Sequence, residues 1–169
     1  MKATLLELTE FANKHDLVTE HDIERETDII DLEKMKKILT TQVKTLTGWV
    51  ILDGHYAHEA VDPNLVFKVF VMRRAPWVLK EELSVRNYPL SKVWENIESE
   101  LVGICSSETR HIFHEETVCE IDTTNMMASE TLEHILEILS EDEKCLEAPV
   151  DWMQYHETEI LLREKPRCI

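Results

Sequence analysis

The chain has 169 residues with 43% hydrophobic and 31% charged side chains, and its formal net charge is −16 at pH 7. This length suits one domain with a single core, and this hydrophobic content excludes wholesale disorder. So negative a surface repels phosphate backbones and anionic membranes. We therefore expect no direct DNA binding, no membrane binding, and either a basic protein partner or a merely solvated acidic surface.

Strand-like and helix-like segments alternate along the chain. Apolar runs predict strands near residues 4–8, 49–53, 65–72 and 117–121, and helical spacing predicts helices that begin near 31, 76, 93 and 129. Thr9 is placed to cap a short helix at 9–15, whereas the charged, aperiodic residues 16–28 predict a loop. The alternation predicts an α/β domain with a parallel sheet whose strands are covered on both faces. The polar tail 145–169 is predicted to be a peripheral arm.

Cysteine spacing and hydropathy indicate the compartment. None of the four cysteines forms a Cys-x-x-Cys pair, which predicts free thiols in a reducing compartment. No apolar run approaches the ~18 residues of a membrane span, and no signal peptide is recognisable. We therefore expect a cytoplasmic protein in which Cys105, Cys119, Cys145 and Cys168 are unpaired.

The stretch VILDGHYAH, residues 50–58, ends an apolar strand in a carboxylate and two imidazoles. In an open parallel sheet, ligands bind just beyond the carboxyl ends of the strands, where Asp53 is expected. A carboxylate there can hold Mg²⁺ and so act on the phosphates of a nucleotide, and Gly54 allows a sharp turn that aims His55 at the cleft. The alternative is an Asp that starts a turn, followed by two surface histidines.

A metal site is a rival interpretation of the histidines. His55 and His58 form one His-x-x-His pair, and His111, His114 and Glu115 form another group. Zinc needs three or four ligands in a closed geometry, and the sequence assigns no third ligand to either pair.

Five segments occur in the order found in a known family. They are residues 5–39 (LLELTEFANKHDLVTEHDIERETDIIDLEKMKKIL), 50–58, 69–83 (VFVMRRAPWVLKEEL), 85–100 (VRNYPLSKVWENIESE) and 119–124 (CEIDTT). With these motifs the chain resembles the archaeal "putative adenylate kinase" family, relatives of eukaryotic adenylate kinase isoenzyme 6, a nuclear factor for small ribosomal subunit maturation. The resemblance covers roughly residues 4–140, and APVDW at 148–152 also matches the archaeal tail.

The resemblance implies a P-loop nucleoside monophosphate kinase fold over residues 1–144. It implies broad-specificity phosphate transfer from ATP to AMP with Mg²⁺, together with ATPase activity. It also implies a role in late small-subunit rRNA processing, with a ribosomal protein of the small-subunit platform as partner.

Site residues follow from the same resemblance. Residues 7–30 resemble the monophosphate-binding segment, and 85–95 resemble the lid. Asp53 and His55 match the catalytic Asp-x-His, with Asp53 at the metal. The implied nucleotide contacts are Glu10, Phe11, Asp22, Arg25, Asp28, Arg73 and Arg86. An arginine fork at Arg86 would stabilise charge on the moving phosphoryl group, although a cation at a helix carboxyl end is the simpler role.

One departure from the family concerns the P-loop. The family begins with a strand and Gly-x-x-x-x-Gly-Lys-Thr, whereas this chain begins just before the second strand. None of its three glycines, Gly48, Gly54 and Gly103, is followed by Lys-Ser or Lys-Thr. The chain could be an enzyme whose P-loop is encoded upstream, a catalytically inactive remnant that serves as an acidic binding module for a basic ribosomal protein, or an unrelated acidic α/β domain. We expect poor phosphate transfer by the chain as printed.

Overall fold

The computed structural model describes residues 3–23, 25, 27–86, 88–140, 145 and 149–166. It divides into two compact units, a first unit Met1–Phe67 and a second unit Lys68–Ile169. None of the described helices is both long enough and apolar enough to cross a membrane.

The first unit contains a parallel pair of strands and an antiparallel hairpin. Its elements are β1 Ala3–Glu7, α1 Leu8–Lys14, β2 Val18–Asp22, β3 Thr27–Ile30, α2 Leu32–Val43, β4 Trp49–Asp53 and α3 Ala57–Ala60. β1 lies parallel to β4, with Leu5 opposite Ile51 and Glu7 opposite Asp53. The buried core lies between this sheet and the helices, and is formed by Leu8, Phe11, Ala12, Leu17, Met35, Leu39 and Ala60.

The other face of this first sheet is open among the described residues. Leu5 is 61% exposed, Ile51 is 52% exposed, and Trp49 packs edge-on against the exposed ring of Phe67. The expectation that the strand at 49–52 is covered on both faces therefore does not hold for β4 as described.

The hairpin of β2 and β3 replaces the loop predicted for residues 16–28. The two strands pair antiparallel, with a register shift between Val18 and Glu20. β-branched residues, such as Thr19 and Ile29, favour extended backbone. The prediction was wrong because most of the hairpin is exposed on both faces, so its sequence lacks the apolar alternation of a half-buried strand.

The second unit contains the other parallel pair. Its elements are β5 Val69–Arg73, α4 Pro76–Ser84, α5 Leu90–Val102, α6 Ile104–Ile112, β6 Val118–Asp122, α7 Ala128–Leu139 and α8 His156–Arg163. β5 and β6 pair in parallel, with Val71 opposite Glu120. The helix predicted to begin near 93, with apolar residues from Val93 to Ile104 at helical spacing, is divided at Gly103, whose φ of 66° ends α5 and starts α6. Glycine adopts this left-handed conformation without steric cost.

The four predicted strands are all present, and β5 only begins later than predicted. Residues Pro63–Leu65 form a 3-10 turn, so the strand starts at Val69. The mixed α/β class with parallel strands is confirmed. The described strands form two parallel pairs and one hairpin rather than one continuous sheet.

The carboxyl-terminal residues 149–166 belong to the core of the second unit. Trp152 is 1% exposed and Leu161 is 3% exposed, and both pack in one cluster with Ala75, Val93 and Ile97. Lys80 of α4 also forms an ion pair with Glu164. The peripheral arm predicted for 145–169 is thus corrected for these residues, because large apolar side chains from this segment fill the unit.

Two cysteines are paired rather than free. The sulfur atoms of Cys119 and Cys145 are in bonding contact, which corrects the prediction for these two. Cys105 is a free thiol, whereas Cys168 lies outside the described residues.

Candidate functional site

Asp53 lies at the carboxyl end of β4, where the sequence predicts it. Its side chain is exposed, and within the described residues it takes part in no hydrogen bond or ion pair. Glu7 of β1 is its register partner, and neighbouring strands run about 4.8 Å apart, so both carboxylates lie at the same end of the sheet. Mg²⁺ prefers such oxygen ligands and usually binds one or two carboxylates together with waters and phosphates. The donor set therefore fits the ion.

Glu7 is a site residue that the sequence did not indicate. Its carboxylate accepts hydrogen bonds from the backbone N–H groups of Thr9 (3.0 Å) and Glu10 (2.8 Å), so Glu7 rather than Thr9 caps α1. These two bonds hold the pKa of Glu7 below its ordinary value. Glu7 is thus an ionised, positioned carboxylate, while Asp53 keeps its oxygens available. Only the strand register, which is not visible in one sequence, brings the two together.

Gly54 and His55 continue from Asp53. A Cβ on Gly54 would lie 3.1 Å from the Cβ of Leu8, so glycine allows the end of β4 to pass close to α1. The His55 ring is accessible to solvent but partly covered, and it contacts the Tyr56 ring edge-on with the ring centroids 4.8 Å apart. Partial burial of the ring, with a smaller contribution from nearby His58, lowers the pKa of His55 below 6.5. His55 is therefore a neutral imidazole at pH 7, able to donate one hydrogen bond and accept another.

The zinc interpretation gains no support within either unit. His58 is buried while His55 is exposed, so the pair does not present two ligands to one open position. In the second unit, the Nδ1 atom of His111 lies 2.7 Å from the carbonyl oxygen of Ser107. Within the described chain, His111, His114 and Glu115 do not come together as three metal ligands.

The predicted monophosphate segment 7–30 places its candidates on two elements. Glu10 is exposed on α1, whereas Phe11 is 4% exposed and stacks on His15 inside the core of the first unit. In the hairpin, Asp22 accepts the backbone N–H of Arg25 at 3.0 Å. Asp28 pairs with the Nδ1 atom of His21 at 2.8 Å. The hairpin therefore brings Asp22, Arg25 and Asp28 together in its turn and its two paired strands. Phe11, in contrast, is a core residue.

Arg73, an implied nucleotide contact, is buried in a polar network of the second unit. It is 2% exposed, and it donates to a Glu100 side-chain oxygen at 2.8 Å and to Glu120 at 2.7 Å. Further bonds reach the backbone oxygens of Glu100 and Val150. The guanidinium lies 6.0 Å from the ring centroid of Trp152. This position corrects the predicted nucleotide role, because the donors of Arg73 are directed into the protein.

Glu120 is the buried acid of this network. Burial alone would raise its pKa, but hydrogen bonds from Ser106, the Val150 N–H, Arg73 and Arg110 outweigh burial and lower it. A buried carboxylate with this many donors stays ionised and fixes the groups around it. The sequence did not predict that Arg73 and Glu120 are buried. Both lie in strand-like runs, and nothing in those runs indicates that their charged side chains are covered.

Arg86 lies in the turn after α4, at the start of the predicted lid 85–95. The Arg86 side chain is exposed, and the backbone N–H of Arg86 donates to the carbonyl of Leu83 at 3.0 Å. Residues 90–95 of the lid form the first turns of α5, and Asn87 lies outside the described residues. The side chain is thus accessible for a phosphate contact, and its backbone also completes the end of α4.

Comparison with known proteins gives the family. Residues 3–103 match a family profile described as an AAA domain. The chain is 33% identical over 167 residues to the "Putative adenylate kinase" of Saccharolobus solfataricus, which covers 97% of this chain and 81% of that protein. Proteins of the same name from Methanocaldococcus jannaschii (32% over 150 residues, 89% and 78% covered) and Pyrococcus abyssi (31% over 151 residues, 88% and 79% covered) are also similar. The chain therefore belongs to the family of these archaeal adenylate kinase-like proteins.

Proposed function

We propose that the chain is a broad-specificity nucleoside monophosphate kinase that uses Mg²⁺-ATP to phosphorylate AMP and related monophosphates, and that it also hydrolyses ATP. The observation that carries the proposal is the position and exposure of Asp53. It is an exposed carboxylate without a protein partner among the described residues, at the carboxyl end of a parallel strand, in a chain that matches "Putative adenylate kinase" proteins over 97% of its length.

Each proposed site residue has a role that follows from its position. Mg²⁺, when bound, neutralises charge on the phosphates during transfer. Asp53, with Glu7 beside it, would hold the ion, and neutral His55 would orient a water or a phosphate oxygen. Arg86 would meet the ATP phosphates from the lid. The monophosphate would lie near Glu10 and the hairpin.

Two residues leave the predicted contact set. Phe11 and Arg73 are each almost fully buried, so we assign them to the core and to the Glu120 network, respectively. The proposed nucleotide contacts are therefore Glu10, Asp22, Arg25, Asp28 and Arg86, with Asp53 and His55 at the phosphates.

Binding is the primary test, because no glycine of the printed sequence is followed by the Lys-Ser or Lys-Thr of a P-loop. Calorimetric titration of the chain with ATP, ADP and AMP, with and without Mg²⁺, should show Mg²⁺-dependent binding of ATP or ADP. Asp53→Asn should remove the Mg²⁺ dependence. Glu33→Gln, which neutralises an exposed carboxylate on α2, should leave it unchanged. Equal Mg²⁺ dependence in the wild type and Asp53→Asn would refute the metal role.

A basic ribosomal protein of the small-subunit platform is the proposed macromolecular partner. The net charge of −16 and the exposed acids of the hairpin, Glu20 and Asp28, support it. This partner would give the chain a role in late small-subunit maturation, as for eukaryotic adenylate kinase isoenzyme 6. A cytoplasmic location is proposed separately, from the cysteine spacing and hydropathy of the sequence. Two acidic residues of α5 differ in their availability to such a partner: Glu95 is exposed, whereas Glu100 accepts a hydrogen bond from Arg73.

The salt dependence of binding tests the partner proposal independently of the kinase proposal. Contacts between exposed charges are screened within about 8–10 Å at ordinary ionic strength. A pull-down should therefore retain the ribosomal protein at low salt and lose it at high salt. If the chain retains that protein but binds no nucleotide, it acts as a binding module without kinase activity. If nothing is retained at any salt, the partner proposal fails and the kinase proposal is unaffected.

A further inference from the structure

Cys119 and Cys145 lie together inside the second unit although they are far apart in sequence. Cys119 is fully buried in β6, and Cys145 is half-buried against the cluster of Cys119, Ile121 and Ile138. Their Cα atoms are 5.2 Å apart, within the range of about 4.4–6.8 Å that a disulfide spans. The backbone therefore holds the two cysteines at a separation that a disulfide can span.

The pair joins two segments that the polar network also joins. Glu120 follows Cys119 in β6 and accepts the N–H of Val150 at 3.0 Å. The carbonyl of Val150 accepts from Arg73 at 3.2 Å. Beyond Val150, the indole N–H of Trp152 donates to Glu100 at 2.7 Å, and its ring fills the core. The chain after α7 is thus fixed to β6 once through sulfur and once through Glu120.

We propose that Cys119 and Cys145 form a reversible oxidation site that fastens the segment carrying Val150 and Trp152 to β6. The thiol redox state around the protein then sets the stability of the second unit. The polar network remains when the disulfide is reduced, so reduction loosens the unit without unfolding it. Because Trp152 bonds Glu100 of α5, and α5 begins inside the predicted lid, the effect reaches that helix.

A small-molecule disulfide, such as oxidised glutathione, is the oxidant. The thiolate of Cys145, which is the more accessible of the two, attacks one glutathione sulfur and releases one glutathione thiolate. The thiolate of Cys119 then attacks the Cys145 sulfur of the mixed disulfide and releases the second. Two cysteine thiols are oxidised, one glutathione disulfide is reduced, and the two cysteine protons end on the two glutathione thiols.

Cys105 provides an internal comparison. It lies on α6 as an exposed free thiol, and partial desolvation, together with the carboxylates of Glu108 and Glu100, raises its pKa. A raised pKa lowers the fraction of reactive thiolate at neutral pH. Because no second cysteine pairs with Cys105 among the described residues, Cys105 should not enter the intramolecular disulfide.

The first test counts thiols. The full chain is equilibrated in oxidised or reduced glutathione, quenched in acid, and then denatured and labelled with a maleimide near neutral pH for mass spectrometry. We expect two labels in the oxidised sample and all four cysteines labelled in the reduced one. A proteolytic digest of the oxidised sample should contain a linked peptide pair with Cys119 and Cys145. Four labels in both buffers, two labels in both buffers, or linkage through Cys105 would each overturn the proposal.

The second test measures thermal unfolding. Closing a loop between residues 26 positions apart should raise the midpoint of the second unit by roughly 5–10 °C on oxidation. Cys145→Ser should abolish the shift, whereas Cys105→Ser should keep it. Cys145 is chosen because it is half-buried, so the variant should fold with its midpoint near that of the reduced wild type. A shift that persists in Cys145→Ser, or that is absent from the wild type, would refute the role in stability.

Discussion

Replacing Trp152 with alanine is the sharpest test of how the second unit is held together. The side chain is 1% exposed, contacts Trp77 and Tyr155 at ring-centroid distances of 5.6 Å, and lies in the cluster with Ala75 and Ile97. Truncation of a buried tryptophan to alanine costs about 3–5 kcal/mol. The lost hydrogen bond to Glu100 adds about 1 kcal/mol, although Arg73 still bonds Glu100.

The expected loss is therefore about 4–6 kcal/mol, which corresponds to a fall in the unfolding midpoint of roughly 10–20 °C for a protein of this size. Urea unfolding followed by far-UV circular dichroism measures it without relying on tryptophan fluorescence. Trp152→Phe should keep most of the packing and lose about 1–2 kcal/mol, which isolates the indole N–H.

Met153→Ala is the matched control for this experiment. Met153 is the next residue in the same 3-10 turn but is 58% exposed, so its truncation should change stability by about 0.5 kcal/mol or less. If Trp152→Ala also cost less than about 1 kcal/mol, the tail would be peripheral, as the sequence alone predicts, and the packing argument would be refuted.

Further predictions concern three residues. Because the pKa of Glu120 is lowered, its contribution to stability is complete above the ordinary value of 4.5 and is lost as pH falls through the folded value. The free energy of unfolding, measured by urea titration across that range, should fall less steeply in Glu120→Gln. The pKa of His55 is also lowered, so the unfolded chain takes up its proton first and stability declines as pH drops below 6.5. NMR titration of the His55 ring should give a midpoint below 6.5, and a midpoint above that value would contradict the assignment of a neutral imidazole. Gly103→Ala should cost about 1–2 kcal/mol in urea unfolding, because φ is 66° and the new Cβ would lie 3.4 Å from Arg73. Val102→Ala, at a neighbouring exposed position, should cost much less.

The sequence predicts the parallel strands because their residues are apolar in succession. Residues 49–52 and 69–72 carry this signal, and both lie in the strands that the structure describes. The hairpin carries no such signal, since Glu20, His21 and Asp28 leave its faces polar. Trp152 lies in a single 3-10 turn, which is too short to show a period, so its burial depends on residues far along the chain.

In the candidate site too, some positions could be predicted from neighbouring residues, whereas others depend on residues far away in the sequence. Asp53 could be placed at a strand end from its neighbours alone, because an apolar run stops there. Glu7 could not be placed beside it, because that proximity depends on the register of two strands separated by two helices and the hairpin. Arg73 was expected at a ligand only from the family resemblance, and Glu100 and Glu120, both distant in sequence, turn it inward.

The order of the elements has a consequence for synthesis on the ribosome. The first unit is one continuous stretch that ends at Phe67, so it can fold while the rest is still being translated. The second unit must wait much longer, since β5 pairs with β6 and Trp152 enters its core from near the end of the chain. Until then Ala75 and Ile97 lack the cover that Trp152 provides, so the second unit cannot complete its core before residue 152 has been synthesised.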